Sequence, residues 1–378
     1  MAISVPLDIP STDPTVEALA CVRDHACAVD AEARFPVEGI AALRGAGWLQ
    51  PPEGQEDEAL STLVSLCRAV GEACSSTGLI FAMHHIMLAC LQRHGGEALQ
   101  QVPEALTGQW LLASSTTEQA TGGDISRSLC AVRDDGKGNG FLEKDASVLS
   151  YAEQSDLILV TARRDAQAEE SDQVLVAIPT RDVRLRRVRD WSGLGMRGTE
   201  SHGYRLLARF PRACVMDVPY TEILRQTMQP YSHLCWSAVW YGIARRAVCK
   251  ATTALRRSGG LSSAGPALAA INHRMDRWWA MQTQAMALLT GPLDDGLVAR
   301  TRRTSVFNGL KIEASETARQ VVMDCLDLAG FPAYGDTGSC ALGPEIRDIL
   351  SAPLMVSNSR LRTAMAASAA LSMRERAV

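Results

Sequence analysis

The 378-residue chain has no strong excess of either charge: 42 acidic residues stand against 38 Lys and Arg, a formal net charge of −4. That balance excludes the concentrated basic field that nucleic acid or an anionic membrane would call for, so neither partner is expected. Long apolar runs are also missing. None approaches the roughly eighteen residues of a spanning helix. The N-terminus "MAISVPLDIPSTDP" lacks the basic start and apolar stretch of a secretion signal, so the expected location is the cytoplasm. The eleven cysteines include no C-x-x-C pair and no histidine at ligand spacing. This argues against a zinc site and leaves them as small buried hydrophobes in a reducing compartment. His84 and His85 are adjacent, but neighbours on a helix point about 100° apart. With no carboxylate three or four residues away, no metal site is expected there. Internal repeats and low-complexity segments are absent.

What is present falls into three stretches. Residues 1–107 read as helical: "ALSTLVSLCRAVGEAC" sets Leu60, Leu63, Val64, Cys67 and Val70 on one face, and "SSTGLIFAMHHIMLACLQRHGG" reads as a buried helix opening on Ser/Thr caps and closing at Gly95 and Gly96. Residues 108–222 change to short β-type runs, "LCAVRDD", "DLILVTARR" and "QVLVAIPT", divided by turn clusters such as "DDGKGNG". From 223 to 378 helical periodicity returns, with long segments near 231–258, 266–290, 296–330 and 344–376, the pattern of a four-helix bundle. The predicted class is α+β.

One run stands out. "ASSTTEQATGGD", residues 113–124, packs hydroxyls, two acids and two glycines after the apolar "QWLL", too polar for a core strand. "TTEQATGGD" resembles the T-E-P-x-A-G-S-D loop of the acyl-CoA dehydrogenase superfamily, "GMRGTESHGYRL" its G-x-R-x-S-x-T-x-x-L segment, and "LAGFPAYG…GPEIRD" its Q-x-x-G-G-x-G…R-D region. The three motifs span most of the chain in the matching order.

The resemblance implies an N-terminal helical domain, a middle β-barrel domain and a C-terminal four-helix bundle, with FAD (or FMN) held between barrel and bundle. It would set Thr116 and Thr117 along the pyrimidine edge of the flavin, with Gly122 and Gly123 letting backbone approach a phosphate. Ser150 falls on the threonine of the family's W-I-T-N strand, and Val148 on its aromatic. Arg256 or Arg257 would reach a neighbouring subunit's cofactor and pair its pyrophosphate, the loop around Gly330 would also contact cofactor, and the assembly would be a homodimer or homotetramer.

The family's catalytic glutamate has no counterpart. Nine residues past Arg347-Asp348 stands Val356, with no acid before Glu375; the alternative position on the first bundle helix is Ser232, followed by His233. His233 is a candidate base, and Ser232, Trp236 and Trp240 are candidate substrate contacts. Three readings follow. The first is a dehydrogenase acting on an acyl thioester, on CoA or a carrier protein, with an unusual base and an electron-acceptor flavoprotein. The second is a monooxygenase using reduced flavin and O2 on a small aromatic or amine. The third is a flavin-binding paralogue without catalysis.

Overall fold

The computed structural model describes residues 14–292 and 296–366. Six helices come first: α1 (Pro14–Glu32), α2 (Val37–Gly45), α3 (Glu56–Ala73), α4 (Ser75–His94), α5 (Gly96–Gln101) and α6 (Glu104–Thr107). The five apolar residues of α3 named above are all buried. α4, apolar nearly all round, is buried along most of its length. Its opening hydroxyls do not cap it. Cys74 holds the cap position without a side-chain bond, while Ser75 accepts from Arg246 at 3.0 Å and Ser76 from the Gly198 N–H at 3.2 Å. Both serines are spent on neighbouring elements.

Seven strands follow: β1 (Leu112–Ser115), β2 (Arg133–Asp134), β3 (Asn139–Leu149), β4 (Leu157–Arg163), β5 (Gln173–Pro179), β6 (Val183–Arg189) and β7 (His202–Pro211). The region expected as a barrel is laid out as two sheets, β1-β4-β5 and β2-β3-β7-β6. β4 and β5 are buried on both faces, which is why they read as unbroken apolar runs, whereas β3 and β7 alternate. Lys144 of β3 crosses between the sheets, donating to the carbonyl of Thr161 at 2.6 Å and to its hydroxyl at 2.7 Å.

The chain then returns to helices. α7 (Tyr220–Ile223) passes through a π-helical turn, Leu224–Met228, into α8 (Gln229–Ser258), followed by α9 (Gly265–Thr290), α10 (Leu297–Ala329) and α11 (Gly343–Ile349). The expected fourth helix over 344–376 is interrupted: turns occupy 350–357 and helix resumes over 358–366. Pro353 accounts for the break, since its ring would clash with the carbonyl four residues back and it has no N–H to donate. The remainder of that segment, with Glu375, lies outside the described residues. Among the described residues no helix is long and apolar enough to cross a membrane.

Two devices set how α8 meets the N-terminal helices. Arg246 of α8 donates to Glu345 of α11 at 2.5 Å, to the Ala73 carbonyl at 3.0 Å and to Ser75 at 3.0 Å. Lys250 adds a second cation to Glu345 at 2.7 Å. The second device is glycine. A methyl group on Gly71 of α3 would stand 2.7 Å from the Val239 carbonyl oxygen, and one on Gly242 would strike the Arg68 carbonyl, so the two backbones approach where no side chain fits. Gly242→Ala is therefore expected to cost about 1–3 kcal/mol by overpacking. Gly309→Ala, in α10 with nothing within 4 Å of the added methyl, is expected to gain up to about 1 kcal/mol of helix propensity. Thermal unfolding of the two variants checks the contrast.

Candidate active site

A cavity of about 680 Å³ opens where the strands, α4, α8 and residues 350–361 converge. One wall is polar. Ser114, Thr116, Thr117, Ser150, Thr199 and Ser201 all line it. Ser147 donates to the Thr117 hydroxyl at 2.9 Å, and Thr117 lies 3.4 Å from the Val148 carbonyl. Ser150, Ser201 and Thr199 form a chain with 2.7 Å links, ending in a bond from Thr199 to the Met196 carbonyl at 2.9 Å. Since Thr199 spends its proton on that carbonyl, Ser201 must donate to Thr199 and Ser150 to Ser201. In this arrangement Ser150 offers the cavity an acceptor.

The opposite wall is apolar: Leu79, Met83, Ile86 and Met87 from α4, with Met228 and Trp236 near the start of α8. The π-helical turn lies on this wall, Leu224 and Met228 both facing the cavity. Such turns shift the phase of a helix locally, and no sequence signal marked this one. The Ser232 hydroxyl is turned back to the Met228 carbonyl at 2.6 Å.

Buried ion pairing explains the first acid in the polar run. Glu118 does not face the cavity: it is buried, accepts from Ser128 and from the Leu129 N–H at 3.0 Å, and lies 3.5 Å from the Lys144 ammonium. It anchors the loop from behind so that Thr116 and Thr117 are held at the cavity. Gly122 and Gly123 take positive φ, +61° and +79°, and their carbonyls accept from Arg360 at 2.9 and 3.1 Å. Arg347 and Arg360 are the cations of the lining, and Asp124, half-buried and held below the ordinary carboxylate range by hydrogen bonds from Ser126, is its one carboxylate among the described residues.

His233 lines the cavity, but its ring is fixed. Nδ1 donates to the Phe307 carbonyl at 3.0 Å. Burial first, and the nearby Lys311 second, push its pKa down to about 3, so at neutral pH it is an uncharged, weak proton acceptor. That geometry counts against the expected role as base. Lys311 is itself buried, lowered to about 8 by burial, and donates to the Val356 carbonyl at 2.8 Å and to Asn358 at 2.6 Å. Val356, at left-handed φ +48°, thus presents a backbone group tied to a lysine where the resemblance puts a carboxylate.

Other expected residues are not brought here. Trp240 is fully buried with the Lys311 ammonium 5.9 Å over its ring, and is absent from the lining. Arg256, Arg257 and Gly330 are also outside it; Arg257 donates to Ser339 at 2.7 Å. His84 uses both nitrogens on backbone, accepting from the Leu112 N–H at 3.1 Å and donating to the Leu49 carbonyl at 2.9 Å. Among the described residues no cluster of three potential metal ligands occurs.

Helices, two sheets and a bundle around this cleft make the acyl-CoA dehydrogenase fold. No family model and no curated protein matches the chain by sequence. Among solved structures it is similar to dibenzothiophene monooxygenase TdsC from Paenibacillus sp. A11-2, at TM-score 0.79 and 16% identity over 94% of this chain and 95% of that one. It is similar to KijD3 in complex with dTDP, at 0.77 and 21% identity over 95% of each chain. It is also similar to glutaryl-coenzyme A dehydrogenase in its glutaryl-CoA complex, at 0.74 and 17% identity over 96% of each.

Burial of neutral histidines has a pH consequence. His233 and His85, the latter lowered by burial to about 4, refuse protons that the unfolded chain accepts below its ordinary histidine pKa of about 6.5. Stability is thus full above about pH 6.5 and falls as pH drops toward 4, by up to about 1.4 kcal/mol per pH unit for each ring. Melting temperatures over this range should fall more steeply for the wild type than for His233→Gln.

Proposed function

We propose that the protein is a flavin-dependent oxidoreductase that uses reduced flavin and O2 to oxygenate a small, largely apolar aromatic or amine substrate. The observation that carries the reading is the lining: a hydroxyl-rich wall faces a methionine- and tryptophan-bearing wall, and the one carboxylate among the described residues, Asp124, is half-buried and tied up by Ser126. Proton abstraction next to a thioester carbonyl needs a positioned base, and neither Asp124 nor His233 is suited to it.

A flavin fits this cavity's chemistry. Its volume lies in the range of small-molecule sites, about 300–1,000 Å³. Flavin rings have polar edges and apolar faces, matching one hydroxyl wall and one apolar wall. Thr116, Thr117 and Ser150 would hold the polar edge, with Ser201 and Thr199 fixing which way the Ser150 hydroxyl points. Arg360, beside the Gly122 and Gly123 carbonyls, would take a phosphate, whereas Arg347 is held by Asp30 and Asp336. When bound, the flavin supplies the redox and oxygen chemistry. The chain excludes water with Met83, Met87, Met228 and Trp236 and orients the substrate against them.

The FMN-bound and indole-bound forms of TdsC, and KijD3 with FMN and an amino-keto dTDP-sugar, support an oxygenating reading. The glutaryl-CoA complex keeps the acyl-thioester dehydrogenase as the alternative. In this reading the chain works as domains 1–107, 108–222 and 223–378, and as a homodimer or homotetramer whose contacts would cover Phe331 and Tyr334, 85% and 71% exposed.

Fluorescence titration with FMN and FAD is expected to show binding that Thr116→Val and Ser150→Ala each weaken several-fold, as loss of a hydrogen bond worth about 1 kcal/mol implies. Reduced flavin, isotopically labelled dioxygen and indole as probe should then give labelled product. Turnover of butyryl-CoA with an artificial electron acceptor, and no label from dioxygen, would return the dehydrogenase reading. Failure to bind either flavin would sink both.

A further inference from the structure

A second cavity, of about 860 Å³, lies on the outer face of the four-stranded sheet and shares no lining residue with the first. The strand register builds its floor. Arg133 pairs opposite Phe141, and Phe141 opposite Arg209, so one cross-strand row reads guanidinium, phenyl ring, guanidinium. The next row on that face, two residues along, sets Leu207 between Glu143 and Arg184. Phe141 and Leu207 are 40% and 39% exposed, so the apolar floor is open to solvent. Arg163 and Arg181 close the sides.

These arginines are not equally occupied. Arg209 is held by Asp135 at 2.7 Å, and Arg163 donates to the Ala168 carbonyl at 3.0 Å. Glu143 is taken by Arg205. Among the described residues Arg133 makes only a cation–π contact, 5.9 Å over the Phe141 ring, and Arg181 reaches only its neighbour Asp182, at 4.0 Å. Arg184 has no acceptor among the described residues. Two guanidinium groups without a carboxylate partner among the described residues, and a third held only by Asp182 at 4.0 Å, stand around an open aromatic floor in a chain of net charge −4, a local feature that overall composition does not explain. Guanidinium forks bind phosphate oxygens in pairs, and a phenyl ring flanked by arginines offers a face to a flat heteroaromatic ring.

We propose that this groove binds a nucleoside diphosphate or a phosphate-bearing molecule of that size, the phosphates on Arg133, Arg181 and Arg184 and the planar ring on Phe141 and Leu207. Its volume suits such a ligand rather than a folded partner. The proposal does not depend on the flavin reading, because the two cavities are separate.

Calorimetric titration of ADP into the full chain, with and without saturating FMN, tests it. The expected result is binding that FMN does not compete away and that weakens as salt rises. Arg133→Gln combined with Arg184→Gln should weaken it at least tenfold. Phe141→Ala should weaken ADP but leave inorganic pyrophosphate unchanged. Because these side chains are exposed, the variants should keep the wild-type melting temperature and flavin uptake, so a loss of ADP binding reports on the groove alone. No ADP binding by the wild type, displacement of ADP by FMN, or unchanged affinity in the double variant would overturn the proposal. Tighter binding of poly-glutamate than of ADP would overturn it in favour of an acidic protein partner.

Discussion

Arg246 is the fastening on which the architecture depends. One guanidinium reaches the carbonyls that end α3, the hydroxyl that opens α4 and the carboxylate of Glu345 in α11. α3 therefore ends, and α4 begins, against a charge carried by a different part of the chain. Burial alone would favour the neutral acid, but Arg246 and Lys250 keep Glu345 ionised and below its ordinary pKa. A buried carboxylate of this kind tolerates poorly the loss of either cation. Three residues further on, Asp348, raised to about 6 by burial, accepts from the Met196 N–H at 2.6 Å. The same helix thus locates the loop whose Met196 carbonyl terminates the hydroxyl chain from Ser150. The cavity is shaped by clamps that do not touch it.

The polar run at 113–124 shows how one stretch of sequence divides its tasks. Thr116, Thr117 and Gly123 face the cavity, whereas Glu118 turns inward to Lys144, Ser128 and the Leu129 N–H. A run that reads as uniformly hydrophilic is in fact two surfaces, one for a ligand and one for the interior.

Much of the fold was legible because periodicity reports burial directly. The face of α3, the doubly buried β4 and β5, and the loop between α8 and α9 follow from pattern and turn residues alone. Motif order located the hydroxyl wall, with Thr116, Thr117 and Ser150. What escaped depends on long-range geometry. Nothing local marks the π-helical turn at 224–228. The Ser/Thr residues opening α4 looked like caps until their partners, Arg246 and Gly198, came from elsewhere in the chain. His233 looked titratable because an unperturbed imidazole titrates near neutral pH, but burial and Lys311, seventy-eight positions away in sequence, decide its charge. Trp240 sits one helical turn beyond Trp236, a displacement that moves it from the cavity into the bundle.

The interruption at Pro353 separates two kinds of wall. Helical walls must keep their phase: adding one residue to α8 would rotate every side chain beyond it by about 100°. Turns over 350–357 carry no such register; the Lys311 grip on Val356 and Asn358, with the bonds from Arg360 to the Gly122 and Gly123 carbonyls, fixes where the following helix resumes. A residue gained or lost on this side of the cavity would therefore leave the packed faces of the bundle helices in phase.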